Sequence, residues 1–86
     1  MTVYVVMNEG QLGGGGFEWF YLEEPALREY STTLKIAPPG TYVWLVYVEV
    51  PDNADLDEIT QIIEDQIPEL QRSNKPNVSE GDIPCR

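Results

Sequence analysis

Three runs of this chain alternate apolar residues in the manner of a β-strand, and a fourth repeats them with helical spacing. Residues 2–8 read TVYVVMN, with Val3, Val5 and Met7 on one side and Tyr4 and Val6 on the other. β-branched and aromatic residues at period two predict a strand, and apolar residues on both sides place it centrally in a sheet. Residues 17–22 alternate again, with Phe17, Trp19 and Tyr21 on one face and Glu18, Phe20 and Leu22 on the other. Between these runs, residues 9–16 read EGQLGGGG, which predicts a mobile hairpin loop. Residues 41–50 form the most apolar run. Tyr42, Trp44, Val46, Val48 and Val50 share one face and Val43, Leu45 and Tyr47 the other, so this strand is expected mid-sheet and buried on both sides.

Residues 23–36 admit two readings. As a helix, the segment has Pro25 at its first position and Leu27, Tyr30 and Leu34 on one face at i, i+3, i+7. As a strand, residues 30–36 supply threonines and an isoleucine, followed by a turn through Ala37, Pro38, Pro39 and Gly40. The first-turn residues and the stop at Pro38 favour a short helix over residues 25–34.

Farther on, Asp55 stands three residues before Glu58, the spacing at which two side chains cap a helix start reciprocally. Leu56, Ile59, Ile62, Ile63, Ile67 and Leu70 then recur as one apolar stripe. Pro68 lacks an amide hydrogen, so regular helix is expected to stop or kink near Ile67. From Ser73 the chain reads SNKPNVSEGDIPCR, an extended or disordered tail by composition.

These elements imply an α+β fold. An antiparallel sheet of three to four strands carries one well-defined amphipathic helix, with a second, shorter helix at residues 25–34. Residues 1–72 are expected to make one compact domain and residues 73–86 the tail. With 42% hydrophobic residues in 86, there is material for a single core. The longest apolar run, residues 42–48, is far short of the roughly 20 residues that span a bilayer. No basic leader or small-residue cleavage site follows Met1, and the one cysteine, Cys85, has no internal partner. A cytoplasmic protein in a reducing compartment is the reading these features support.

Charge changes the picture most. Residues 36–71 contain no lysine or arginine, yet carry Glu49, Asp52, Asp55, Asp57, Glu58, Glu64, Asp65 and Glu69. The whole chain has a formal charge of -10, which repels nucleic acid and anionic membrane and attracts basic surfaces. On the helix, Asp57, Glu58, Gln61, Glu64 and Asp65 fall in a band roughly 120° wide opposite the isoleucine stripe. Acids one turn apart would lie about 5 to 6 Å from each other, a spacing comparable with successive phosphates. Ordinary exposed faces mix signs and gain from i, i+4 pairs, which this one lacks.

Catalysis and metal binding find no support. The chain has no histidine, the commonest general base and transition-metal ligand. Cys85 sits in a proline-flanked tail with no basic neighbour but Arg86, so it reads as an incidental thiol. The run DNADLDE at residues 52–58 lacks the in-phase glycine and glutamate of a calcium loop, and its acids suit a helix start. Gly13 to Gly16 precede a strand, with no Gly-Lys-Ser/Thr after them, so they do not form a phosphate cradle. No catalytic, cofactor or metal residue is expected.

The functional expectation is therefore a non-enzymatic acidic protein that occupies the phosphate-binding surface of a basic, nucleic-acid-binding protein. Virus-encoded inhibitors of CRISPR or restriction nucleases are the specific class this suggests by analogy. Direct nucleic-acid and membrane binding are not expected. The candidate contacts are Asp55, Asp57, Glu58, Glu64 and Asp65, together with the aromatic face of Phe17, Trp19 and Tyr21. The alternative is a structural or regulatory domain that forms a homodimer through that aromatic face, its charge serving solubility.

Overall fold

The computed structural model describes residues 1–10 and 15–79. Strand β1 (Thr2–Glu9) and strand β2 (Gly15–Phe20) form a hairpin, followed by helix α1 (Glu23–Ile36), strand β3 (Tyr42–Glu49), helix α2 (Leu56–Ser73) and a short strand β4 (Asn77–Val78). The fold is α+β. Its sheet has the order β2-β1-β3-β4 and every neighbouring pair is antiparallel. β1 is central, as its two apolar sides require. The loop expected at residues 9–16 is described only in part, since residues 11–14 lie outside the described residues and Gly15 and Gly16 open β2.

Alternation along the strands sorts the apolar residues onto two faces. Val3, Val5 and Met7 of β1 and Trp44, Val46 and Val48 of β3 form one cluster with Ile59 and Ile63 of α2. Val6 and Val43 point the other way and pack with Ala26 of α1, flanked by Tyr30 and Leu34. The two helices thus cover opposite faces of the sheet. The larger core lies under α2, where both buried isoleucines are fully enclosed.

Residues 23–36 are helical, which settles the two readings of that segment. The helix begins two residues earlier than Pro25, at Glu23. Pro25 still lies in the first turn, where an amide has no acceptor within the helix, so its missing hydrogen costs little. α2 starts where expected. The Asp55 carboxylate accepts from the Glu58 amide at 2.8 Å, and only this half of the reciprocal cap is present among the described residues.

Two elements depart from the sequence expectation. α2 runs through Pro68 to Ser73 instead of ending near Ile67. Pro68 lies on the exposed side, and the following turn is held by Leu70 packing on the sheet cluster and by the Asn74 amide donating to the Leu70 carbonyl at 3.1 Å. Packing of the apolar stripe outweighs the lost helix bond. The sheet also takes in part of the segment expected to be a tail. Val78 pairs with Tyr42 and Asn77 with Val43, and the amide of Ser79 donates to the Thr41 carbonyl at 2.7 Å. The buried Ser79 hydroxyl reaches the Leu34 carbonyl (2.8 Å) and the Ala37 carbonyl (3.0 Å), fastening the end of α1. Residues 80–86 lie outside the described residues.

Candidate protein-binding surface

The polar face of α2 is set by the same periodicity that buries its other side. With Ile59 and Ile63 enclosed against the sheet, Asp57, Glu58, Gln61, Glu64 and Asp65 are all exposed. Gln61 donates to the Asp65 carboxylate at 3.0 Å. Among the described residues, none of Asp57, Glu58, Glu64 and Asp65 has a cation within 4.0 Å. The ion pairs lie elsewhere: Arg72 with Glu69 (3.0 Å), Arg28 with Glu24 (3.7 Å), and the Met1 ammonium with Asp52 (2.7 Å) and Glu49 (4.0 Å). Asp55 flanks the face, but its carboxylate is engaged in capping.

The helix geometry refines the spacing. Gln61 stands between the acids, so the nearest repeats are Asp57 with Glu64 and Glu58 with Asp65, each seven residues apart. At 1.5 Å per residue that is about 10.5 Å along the axis. One strand of DNA advances 3.4 Å per phosphate, so it would pass roughly three phosphates over the same length. The face is therefore sparser than a nucleic-acid backbone. It can present a field of the same sign, but not an atom-for-atom copy.

The aromatic candidates are divided by the fold. Phe17 and Trp19 are half-buried against the cluster under α2, and the Trp19 indole donates to the Thr60 hydroxyl at 3.1 Å. Tyr21 lies just beyond the end of β2, 51% exposed, with its ring edge-on to Trp19 at 5.0 Å. Phe17 and Glu64 meet at a cleft of about 510 Å³ between α2 and the hairpin, lined also by Met7, Glu9, Thr60 and Ile67. One acidic and one aromatic candidate, Glu64 and Phe17, thus share a rim, which their separation in sequence does not reveal. Among the described residues no group of three or more carboxylates and thiols is arranged to hold a metal ion, and no helix is long and apolar enough to cross a membrane.

The opposite face holds residues the sequence pattern did not single out. Tyr47, placed in a strand expected to be buried on both sides, is 57% exposed. It meets Tyr4 edge-to-face at 5.3 Å and donates to the Glu23 carboxylate at 3.3 Å. The Glu23 charge, followed by smaller contributions from burial and the hydrogen bond, raises the Tyr47 phenol above its ordinary value. Nearby, the hydrogen bond from the Met1 ammonium, and then its charge, lowers the Asp52 carboxyl below the ordinary range.

Comparison with protein-family models, with curated proteins and with solved structures gives no match.

Proposed function

We propose that this chain is a non-enzymatic inhibitor that binds a basic, nucleic-acid-binding protein and covers the surface with which that protein holds phosphate. The observation that carries the reading is the solvent face of α2, where Asp57, Glu58, Glu64 and Asp65 stand exposed without a neighbouring cation among the described residues. A surface of one sign attracts its complement during encounter and disfavours other acidic partners. The cleft beside Glu64 adds apolar area from Phe17 and Ile67, which supplies desolvated contact that charge alone does not. The setting proposed is the cytoplasm. The specific partner class is a nuclease of CRISPR or restriction type.

The test is capture of partners from a host-cell extract on immobilised native chain and on the Asp57→Asn, Glu64→Gln, Asp65→Asn variant. The reading expects a basic, nucleic-acid-binding protein on the native chain alone, released by duplex DNA. Equal capture on both matrices, or retention in the presence of duplex, would contradict it. A native chain found as a dimer that Tyr21→Ala dissociates would point to the homodimer reading instead.

A further inference from the structure

Among the described residues, the outer edge of β3 is left open over most of its length. Val50 and Met1 exchange both backbone hydrogen bonds (2.8 and 2.7 Å). In an antiparallel ladder such pairs alternate, so Val48, Val46 and Trp44 also turn their amides and carbonyls toward β1. The odd-numbered residues turn theirs the other way, as the Ser79 amide bond to the Thr41 carbonyl (2.7 Å) confirms. β4 meets only Tyr42 and Val43. Beyond it, Leu45, Tyr47 and Glu49 each direct an amide and a carbonyl to a side where no described strand lies. Pro76, which has no amide to donate, precedes β4, and the chain turns away toward Asn74, whose carbonyl accepts from the Trp44 indole at 3.0 Å. Proteins commonly guard such an edge with lysine, proline or a bulge. Residues 45–49 read LVYVE and contain neither lysine nor proline.

The side chains beside this edge are acidic and aromatic. α1 covers Val6 and Val43 but leaves the far end of that face uncovered, in a recess of about 340 Å³ lined by Thr2, Tyr4, Glu23, Tyr47 and Glu49. Tyrosine rings and two carboxylates together favour a guanidinium or ammonium group over any neutral or anionic one.

We infer that the open edge of β3 takes up an extended, arginine- or lysine-bearing peptide segment of a partner protein as an added strand. The segment's backbone bonds to Leu45, Tyr47 and Glu49, and one basic side chain enters the Tyr4, Tyr47, Glu23, Glu49 recess. An added strand lies about 4.8 Å from β3, and its side chains on the same face stand beside Tyr47 and Glu49. A second copy of this chain is disfavoured as occupant, because each copy carries -10 and edge-to-edge pairing brings like carboxylates together. The recess beside this edge lies on the α1 face of the sheet, opposite the face that α2 covers.

The test uses the full chain, isotopically labelled, and a capped peptide of four Arg-Thr repeats at physiological salt, with a Glu-Thr peptide as control. Amide hydrogen exchange at Leu45, Tyr47 and Glu49 should slow at least about tenfold with the arginine peptide only. Methylating alternate peptide amides should abolish binding in one phase and spare it in the other, because only one set faces β3. Tyr47→Ala and, separately, Glu49→Gln should each weaken binding several-fold, while Asp57→Asn, Glu64→Gln, Asp65→Asn leave the protection pattern unchanged. Protection confined to α2 or to β2, equal protection by the glutamate peptide, or the same amides protected in a peptide-free dimer would each overturn the inference.

Discussion

Ile63 has no exposed surface and lies where α2 meets both central strands. Replacing it by alanine is expected to cost about 2 to 5 kcal/mol, through lost transfer energy and the cavity left behind, measured by urea denaturation. A midpoint unchanged within error would place the isoleucine stripe elsewhere. Gly15 and Gly16 make a sharper contrast. A side chain on Gly15 would collide with the Asn8 backbone carbonyl across the hairpin, whereas one on Gly16 meets nothing within 4 Å. Gly15→Ala should therefore destabilise by about 1 to 3 kcal/mol and Gly16→Ala by less than about 1 kcal/mol in the same assay. The first residue was legible in the sequence, because period 3.6 marks Ile63 unambiguously. The second was not, because a run of glycines says nothing about which member is pressed against another strand.

At the scale of elements, each assignment succeeded or failed according to how local its determinants are. The strands and the start of α2 follow from alternation and from the cap at Asp55, which are short-range. The end of α2 does not. Leu70 holds the final turn by packing across the molecule, so the proline signal was overruled. Because Pro68 is exposed, Pro68→Ala should restore a helix bond and stabilise the protein by up to about 3 kcal/mol, with unchanged circular dichroism. A destabilised variant would show that the proline serves the fold. The other misjudged element is the C-terminal strand. Asn77 and Val78 carry no strand-like pattern, and their pairing depends on an edge exposed by β3. The side-chain amide of Asn77 also donates to the Tyr30 hydroxyl. Truncation after Pro76 would remove these contacts with those of Ser79 and should cost about 2 to 4 kcal/mol, summing a few hydrogen bonds of ordinary strength. A truncated chain with native melting behaviour would mean that the strand is decorative.

For the whole molecule, the sequence pointed to the aromatic face of Phe17, Trp19 and Tyr21 as a candidate contact surface. α2 lies over the first two, and the exposed ring on the opposite face is Tyr47, because α1 is centred over Val6 and Val43. Which half of a face a helix covers depends on the connections around it and cannot be read from periodicity. The acidic side of α2 was legible, since the stripe that buries Ile59 and Ile63 fixes its opposite. The account stands on that face as a competitor of nucleic acid. Its most direct test is the dissociation constant of the captured basic partner, measured at low and high salt, with and without duplex DNA, for the native chain and for Asp57→Asn, Glu64→Gln, Asp65→Asn. The account predicts affinity that falls steeply as salt shortens the screening length toward about 8 Å and below, displacement by duplex, and a slower on-rate in the charge variant with its melting temperature preserved. Salt-insensitive binding that survives both the substitutions and the duplex would contradict it.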